Sequence, residues 1–582
     1  MSKICYNIRM KKSILFCCIA FLTTSIFAQE ALKSAEEEYY DFLALTGYTQ
    51  RPSISYRTLS DSVWNIENSE ETVWRNNKLN TVFNLWEPDF KYDNFFTNGI
   101  DQGLILKLYN PDFYNSYNSA APYGQNDGAL WQGKGYNMAL TGGARLEGYG
   151  FEVTFKPQIS CTLNQSFEYI QPAYSNEGIY EGKAGVFGDY SLGSLDAPQR
   201  FGNKPIFTFD WGDSEIRWSW NTFTMGFGTQ NIWLGPAQIN PIMHSNTAAG
   251  YPHFDFGFRK QKIQIKDVDL GDLEFRYWIG KTSESDYFDN DSANDDNLFT
   301  GLSLSYELPF LDGLSVGFNR TMLSKWKDRN SYTLFNLLVP FMTNKAGHDY
   351  SDQRASLFLD YNIPKGGIDL YFEWGKNDYN THLDNVIRYP FHTQAITAGF
   401  KKTMTLNKKA EVYGQLLCEF TFIESSMDYH FFYDWGGSGN DFYSHGRILQ
   451  GYTNKGQYIG AGIGAGGNAQ TLCYKVFYNK GNTGITLSRI NPDLNYSYFI
   501  DERDPLSSSP NDDVKSAIRV FLNIEISSLY YITNNLQLSG AFIFSDEHNP
   551  LNKNDNIYRT SKFWESEHRY NFVTQLGIKY FF

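Results

Sequence analysis

Apolar and polar residues alternate at the C-terminal end of the chain. In RYNFVTQLGIKYFF (residues 569–582), every second residue from Phe582 back to Tyr570 is apolar or aromatic, with Thr574 as the exception. The positions between them, such as Lys579, are mostly polar. A two-residue period with aromatic residues at both ends is typical of a strand that lies between lipid and a wet barrel interior. The pattern therefore predicts a transmembrane β-strand.

The same period recurs upstream in the segments 273–279, 353–361, 368–374 and 514–526. One face of each segment is apolar, whereas the other carries polar or charged residues, for example Asp369 and Glu373. A soluble core would not accept charges on its inner faces this regularly, but the lumen of a wide barrel would. We therefore expect residues 96–582 to form an all-β transmembrane outer-membrane barrel.

Long polar segments alternate along the chain with short turns such as NIPKGG, which joins two of these strands. Outer-membrane barrels carry short turns on the periplasmic side and longer loops outside the cell. We expect the long segments to face the outside: 283–297, 427–457, 501–513 and 545–568.

The chain before the barrel has a helical pattern. Within residues 30–46, apolar side chains recur at helical spacing, and Gly47 follows as a stop. Two further short helices are expected, one after Ser60 with Trp64 and one after Ser69 with Trp74. We therefore expect residues 29–95 to form a small helical element on the periplasmic side.

Residues 1–28 have the composition of a secretory signal. Three basic residues, Arg9, Lys11 and Lys12, precede an apolar run that ends just before Ala28. A positive region, a short apolar region and a small residue at the exit are the pattern of a cleaved signal peptide. We expect export and cleavage after Ala28. No later apolar run approaches the ~20 residues that a membrane helix needs, which leaves a periplasmic or secreted protein, or an outer-membrane barrel.

The charge of the protein argues against anionic partners such as nucleic acid. The full chain carries −14 at pH 7, and removal of residues 1–28 takes away four basic residues and no acidic one, which leaves −18. The cysteines that remain are Cys161, Cys418 and Cys473, an odd number with wide spacing. They indicate neither a disulfide framework nor a zinc ligand set, and we expect them on strands.

Two segments resemble catalytic motifs. GIGAGG at 462–467 matches a dinucleotide-binding pattern, but it lacks the flanking strand and helix that this motif requires. His244 adjoins Ser245, but neighbours on a strand point to opposite faces, and no acidic residue lies nearby to orient the histidine. A hydrolase whose partner residue comes from another strand stays open as an alternative. We expect no catalytic residue and no cofactor.

An acidic run could hold calcium through Asp289, Asp291, Asp295 and Asp296. The run lacks the glycine and the distal glutamate of an EF-hand loop. No histidine pair has the spacing of a zinc-protease helix. We therefore interpret the acidic run as a solvated loop and predict no metal site.

A long stretch of the chain, from Trp218 to Phe254, contains no Asp, Glu, Lys or Arg, although 20% of all residues are charged. Fixed charges would cost desolvation without matching a sugar hydroxyl, whereas ring faces, amides and hydroxyls suit a sugar. The alternative is an inward-folded segment that plugs the barrel and satisfies its own backbone. On the first interpretation the sugar-contacting residues are Trp233, Gln238, Asn240, Ser245 and Asn246.

The segment 427–457 is rich in aromatic residues interleaved with glycine, asparagine, aspartate and histidine. Exposed rings flanked by planar polar groups suit sugars, because C–H faces stack on the rings and hydroxyls bond to the polar groups. Alternatively, the rings pack the loop or join the aromatic belt of the barrel. The candidate sugar-contacting residues in this segment are Tyr433, Trp435 and Tyr443.

The order W-x-G-P, N-P and S-N-x-A, followed by a proline, occurs within residues 233–252. This order resembles the Wzi-type capsule assembly proteins, and the continuation AGYPHFDFGF is similar to their Bacteroidetes members. The signal peptide, the short helical N-terminal region and the terminal phenylalanine fit the same layout. Thr247 departs from the family pattern, which more usually has asparagine at this position.

The resemblance implies an outer-membrane barrel of about 18 antiparallel strands with a periplasmic helical bundle. It also implies a non-enzymatic, lectin-like role in attaching exported capsular polysaccharide to the cell surface. A terminal phenylalanine is similar to the signal that the barrel assembly machinery reads. The expected partners are therefore capsular polysaccharide, outer-membrane lipid and that machinery. Two rival functions stay open: a diffusion channel for sugars, and a hydrolase.

Overall fold

The computed structural model describes most of the chain. The described residues are 29–65, 80–94, 97–98, 100–170, 195–289, 291–338, 351–377, 387–424, 442–445, 448–492, 518–551 and 566–582. Within them, 18 antiparallel strands form one closed barrel. The barrel predicted from the alternating pattern and the strand number implied by the family resemblance are both confirmed.

The barrel strands are numbered β1 to β18 in chain order. Their bounds are β1 Leu104–Asn118, β2 Gly135–Gly148, β3 Phe151–Phe155 with Gln158–Thr162, β4 Ile206–Asp210 with Glu215–Trp220, β5 Phe223–Gly228, β6 His253–Ile265, β7 Val268–Ser283, β8 Asp296–Glu307, β9 Leu314–Lys325, β10 Ser351–Ile363, β11 Ile368–Asn377, β12 Gln394–Asn407, β13 Val412–Phe422, β14 Asn468–Tyr478, β15 Gly481–Asn491, β16 Val520–Thr533, β17 Leu536–His548 and β18 His568–Tyr580. Cys161, Cys418 and Cys473 lie on strands, as expected, and are free thiols.

Each strand pairs with the next one along the chain, and β18 pairs with β1 to close the barrel. The closing register places Lys579 opposite Asp112 and Val573 opposite Asn118. The first half of β1 also pairs with a short strand, Asn80–Trp86, which lies within the region that we expected to be helical. Strand β3 is interrupted next to Pro157, because proline cannot donate a hydrogen bond to the neighbouring strand.

The outward face of the barrel is apolar. Leu357 is 55% exposed and Leu576 is 49% exposed, whereas the inward-facing Arg354 and Glu373 are buried. An exposed apolar band of this kind is the lipid-facing surface of an outer-membrane barrel. The alternation predicted from the sequence is therefore confirmed in these strands. Among the described residues, no helix has the length and apolar composition to cross a bilayer.

Short turns and long loops lie at opposite ends of the barrel. The turn between β10 and β11 spans four residues and ends at Gly367, whose φ is +58°. The end with short turns faces the periplasm in outer-membrane barrels. Not every long loop projects outward: in segment 427–457, the described residues Phe442 and Tyr443 are buried in the lumen. The expectation that this segment faces the outside is wrong for Phe442 and Tyr443, because their rings are removed from water inside the barrel.

The N-terminal helix α1, Ala35–Leu45, lies inside the barrel near the short-turn end. Ser34 caps the helix, since its Oγ accepts a hydrogen bond from the backbone of Glu37 at 3.2 Å. Phe42 stacks on Phe477 of β14, with ring centroids 4.8 Å apart. The helix predicted within residues 30–46 is therefore confirmed, with a later start.

Ion pairs attach the N-terminal segment to the inner wall. Nζ of Lys579 in β18 lies 3.3 Å from a carboxylate oxygen of Glu36. Arg51 contacts Asp360 at 3.0 Å and Asp369 at 2.7 Å, on β10 and β11. These pairs are shielded from bulk water, so salt screens them less than it screens surface pairs.

The helix predicted after Ser60 is wrong. Residues 58–62 form a turn, and Val63–Trp64 is a short strand that pairs with Gln29–Glu30. The hydroxyl of Ser60 bonds to Glu215 on the barrel wall, and Trp64 packs against Tyr40 of α1. Contacts with the wall and with α1 therefore override the local helical pattern. The helix predicted after Ser69 lies outside the described residues.

Candidate functional site

The loop between β5 and β6, residues 229–252, folds back into the lumen, and we call it the plug segment. Its strand Trp233–Leu234 pairs with Tyr56–Arg57 of the N-terminal segment. Gly235 has φ +86°, and a Cβ added there would lie 2.8 Å from Oε2 of Glu373. Only glycine fits this conformation and this close approach without strain. The inward-folded plug, one of the two interpretations of the uncharged stretch, is therefore confirmed.

Wall carboxylates bind the backbone of the plug segment. Glu419 of β13 accepts hydrogen bonds from the backbone N–H groups of Gln238 at 2.8 Å, Ile239 at 3.0 Å and Asn240 at 2.7 Å. The hydroxyl of Tyr371 donates to the same carboxylate at 2.6 Å. One buried charge thus satisfies three backbone donors that would otherwise have no partner.

A second wall carboxylate binds the N-terminal segment in the same way. Glu274 of β7 accepts the backbone N–H groups of Ile54, Ser55 and Tyr56 at 2.8 to 2.9 Å. At these two contacts the wall supplies the carboxylate, and the inserted backbone supplies neutral donors. This arrangement explains why the plug segment has no charged residue: a charge there would be buried in a lumen whose ionic partners are already engaged.

Several predicted sugar-contacting residues hold the plug together. Trp233 has 0% of its surface exposed, and its Nε1 donates to the carbonyl of Ala237 at 3.0 Å. Nζ of Lys33 lies 4.1 Å from the centre of the indole ring. The side-chain amide of Gln238 donates to Pro236 O at 2.9 Å, and Asn240 Oδ1 accepts from Gln125 at 2.5 Å. Direct contact between these residues and a sugar stays a prediction.

Of the remaining predicted residues, three are described by the structure and two are not. Ser245 is buried, and its hydroxyl donates to Gly460 O at 2.5 Å. Asn246 is partly buried, and its carbonyl accepts from the backbone of Gly128 at 2.7 Å. Tyr443 donates to Ile242 O at 2.9 Å. Tyr433 and Trp435 lie outside the described residues. The structure therefore brings the plug residues and Tyr443 together in one packed core.

His244 and Ser245 do not form a nucleophile and base pair. Nε2 of His244 lies 3.0 Å from the hydroxyl of Tyr251, whereas the hydroxyl of Ser245 points to Gly460 and Thr247. Burial lowers the pKa of His244 to about 3, so the ring is neutral at physiological pH. GIGAGG lies in a loop, and a Cβ added to Gly462 would lie 2.6 Å from Cγ of Gln125.

A cavity of about 360 Å³ lies above the plug segment at the long-loop end, and we call it the outer cavity. Five partly exposed aromatic side chains line it: Tyr123, Trp131, Phe167, Tyr458 and Phe521. Amides line it as well: Gln125, Asn126, Gln132, Gln199, Gln457, Asn523 and Asn571. Ring faces beside amide donors and acceptors can bind a sugar by stacking and by hydrogen bonds to hydroxyls.

Apart from Asp127, the charged residues that line the outer cavity form one cluster at its rim. Glu547 of β17 contacts Arg569 of β18 at 2.6 Å and Arg519 at 3.2 Å. The Arg569 guanidinium also lies 5.8 Å from the ring centre of Phe167. Two cations thus share one carboxylate, so the rim carries a local positive charge in an acidic protein.

A second cavity of about 290 Å³, the inner cavity, lies between α1 and the strands β1, β2, β17 and β18. Asp127 and Leu130 line both cavities, so the loop that carries them separates the two spaces. Burial raises the pKa of Asp127 to about 7. The carboxyl therefore changes its charge near physiological pH.

We expect the loop around Asp127 to be more protected from hydrogen exchange at pH 6 than at pH 8. The pKa of Asp127 is higher in the folded protein, so folding favours the protonated form, and this stabilisation is lost as the pH rises through about 7. Hydrogen exchange of residues 119–134, corrected for its intrinsic pH dependence, measures the effect. Asp127→Asn should abolish the difference between the two pH values. An equal difference in the variant would contradict this assignment.

The acidic run is solvated only in part, since Asp291 and Asp295 are exposed whereas Asp289 and Asp296 are partly buried. Oxygen atoms of Glu284, Asp289 and Asp295 lie within 4.8 Å of one another. Burial and the neighbouring Asp289 raise the pKa of Glu284 to about 9, so this carboxyl holds a proton at neutral pH. Asp296 instead pairs with Lys281 at 2.7 Å on the barrel wall.

Sequence reasoning missed the residues that line the outer cavity. They come from loops and strand ends that are far apart in the chain, such as Tyr123, Tyr458 and Phe521. One signal was available: between Asp112 and Lys134 the chain contains a single charged residue, Asp127, among aromatic and amide side chains. This is the same depletion of charge that marks the plug segment.

Comparison with known proteins identifies the family. The family model described as capsule assembly protein Wzi matches residues 138–541. Among solved structures, the barrel is similar to Wzi of Escherichia coli, with 11% identity, a TM-score of 0.55, and coverage of 96% of this chain and 100% of that chain. That Wzi is described as an outer-membrane protein involved in group 1 capsule assembly and as a carbohydrate-binding β-barrel.

Other solved barrels are less similar to this chain. OccAB1 of Acinetobacter baumannii has 11% identity and a TM-score of 0.35, with coverage of 81% of this chain and 95% of that one. OprD of Pseudomonas aeruginosa has 8% identity and a TM-score of 0.35, with coverage of 81% and 92%. No curated protein sequence matches the chain. The family match spans well over half of the sequence, and the chain therefore belongs to the Wzi capsule assembly protein family.

Proposed function

We propose that this outer-membrane barrel is a non-enzymatic lectin that binds exported capsular polysaccharide and attaches it to the cell surface. The observation that carries the proposal is the outer cavity, where five partly exposed rings and several amides surround about 360 Å³. The description of Escherichia coli Wzi as a carbohydrate-binding barrel supports it. A long polymer offers many weak contacts, and their sum retains it without a covalent bond.

The predicted sugar-contacting residues have different roles in this proposal. Trp233, Asn240, Ser245 and Tyr443 hold the plug segment and the loops around it in place. Thr247, where the family more usually has asparagine, lines the outer cavity and donates to Asn126 Oδ1 at 3.1 Å. Gln238 and Asn246, with Tyr433 and Trp435, remain proposed contacts to the polymer beyond the cavity.

The rival functions have less support. A diffusion channel needs an open lumen, whereas in the described residues the plug segment and the N-terminal segment fill its centre. A hydrolase needs a paired nucleophile and base, and His244 and Ser245 bond elsewhere. We therefore favour binding over transport or cleavage.

We also propose how the protein is exported and inserted into the outer membrane. We infer that residues 1–28 are a signal peptide removed after Ala28, that residues 29–95 form an N-terminal unit of which the described residues 29–65 lie inside the barrel, and that residues 96–582 form the barrel. Outer-membrane lipid surrounds the apolar band, and the barrel assembly machinery reads the C-terminal strand. The acidic protein does not use nucleic acid as a partner.

Binding of the purified protein to capsular polysaccharide tests the proposal. The polymer is isolated from the strain that makes the protein, and the barrel is held in detergent on a biosensor surface. We expect saturable binding that salt weakens only modestly, because most contacts in the cavity are neutral. An unrelated neutral dextran serves as the control. Equal signals from the capsular polymer and the dextran would contradict the proposal.

A further inference from the structure

Three potential metal ligands lie together at the outer ends of β17 and β18. His548 and His568 are direct cross-strand partners, with ring centroids 4.2 Å apart. Asp546 lies two residues before His548, so both side chains leave the same face of the strand. Oδ1 of Asp546 is 2.8 Å from Nδ1 of His568, and its Oδ2 is 3.2 Å from Nε2 of His548.

These distances suit a single zinc ion. One ligand atom of each residue lies within 4.8 Å of the other two. Zinc binds imidazole nitrogen and carboxylate oxygen at about 2.0 to 2.2 Å, so ligand atoms around a tetrahedral ion lie roughly 3.3 Å apart. A site with three protein ligands keeps its fourth position for water or another small ligand. The side chains therefore need only small rotations to hold the ion.

The surroundings of the cluster also fit a metal site. Oγ of Ser566 lies 3.4 Å from Nδ1 of His548, on the opposite side of the ring from Asp546. A hydrogen bond there fixes the tautomer in which the lone pair of Nε2 can bind a cation. The ring of Tyr570 stacks on His568, with centroids 5.6 Å apart. Tyr570 belongs to the exposed aromatic row of the outward face, so the cluster lies at the outer edge of the lipid-facing band.

We propose that Asp546, His548 and His568 form a zinc site that ties together the ends of β17 and β18. Glu547 and Arg569 alternate with these residues and point to the opposite face, where they line the outer cavity. The ion would therefore brace the two strands from the outside, at the base of the loop that joins them. The site stands on its own ligands and does not depend on what the cavity binds.

Zinc binding by the full-length protein without a histidine tag tests the site. The protein is stripped with a chelator in detergent and then titrated with Zn²⁺ while bound metal is quantified. We expect one tightly bound ion per chain. Asp546→Asn and His568→Gln should each weaken binding by more than the roughly 10-fold to 100-fold that loss of an outer-shell partner causes. Tyr570→Phe, which touches His568 but supplies no ligand, should bind as the unaltered protein does.

Cobalt gives a second measurement that needs no variant. Co²⁺ in a site of two histidines, one carboxylate and water should show the visible absorption of a four-coordinate ion, and Zn²⁺ should remove that absorption. Zinc uptake by the unaltered protein no greater than that of Asp546→Asn would overturn the proposal. Absence of the cobalt absorption would overturn it as well, whether or not the variants fold.

Discussion

Replacing two rings of the outer cavity, Tyr123→Ala with Phe521→Ala, should weaken binding of capsular polysaccharide by roughly 30-fold. Both side chains are partly exposed in the cavity, where they offer faces on which sugar rings stack. Each stacking ring contributes about 1 kcal/mol, so the two rings together contribute about 2 kcal/mol, and each 1.4 kcal/mol is a tenfold change in affinity. The biosensor assay with purified polymer measures the change directly.

The matched control is Phe542→Ala. Phe542 is also a partly exposed ring, but it lies on the lipid-facing side of β17, away from the cavity. This variant should bind the polymer as the unaltered barrel does. Heat-modifiable migration on gels shows whether each variant is folded. If the double variant is folded and keeps its full affinity, the outer cavity is not the binding site.

Removing the carboxylate that binds the plug segment should open the lumen. In Glu419→Ala, the backbone N–H groups of Gln238, Ile239 and Asn240 lose their acceptor. A buried donor without a partner costs about 1 to 3 kcal/mol, so three of them favour release of the segment from the wall. We expect the variant to show frequent ion-conducting openings in planar bilayers, whereas the unaltered protein stays mostly closed.

Two variants separate loss of the acceptor from general damage to the barrel. Glu419→Gln keeps one carbonyl acceptor and should conduct less often than Glu419→Ala. Gln415→Ala changes a buried inward side chain on the same strand, which bonds to Thr403 and not to the plug segment. It should leave conductance unchanged. Conductance of Glu419→Ala equal to that of the unaltered barrel would show that the plug segment does not depend on this carboxylate.

The barrel could be predicted from the sequence because the alternation within each strand shows which side chains face lipid and which face the lumen. In β18, residues Tyr570 and Leu576 face lipid while Asn571 faces the lumen, and this alternation is visible without any other strand. The number of strands was harder to predict from the sequence. Strands β3 and β4 are each divided into two short pieces, which leaves no continuous alternating pattern to count.

The site was harder to predict because its residues meet only after the loops fold inward. The missing charges of the plug segment indicated either a sugar site or a plug, and composition alone could not decide between them. The decisive partners are Glu274 and Glu419. They lie on strands that are distant in the chain, so the sequence around the inserted segments does not indicate them. Similarly, the rings of segment 427–457 suit exposure or packing equally well, and only the buried position of Tyr443 in the lumen distinguishes the two.

The most direct test of the central claim is the distribution of capsular polysaccharide between cells and medium after deletion of the gene. Total, cell-bound and released polymer are quantified in the deletion strain, and again after the gene is restored. The account predicts an unchanged total with most of the polymer shifted into the medium, and recovery of the cell-bound fraction on restoration. An unchanged distribution would contradict attachment as the function of this barrel.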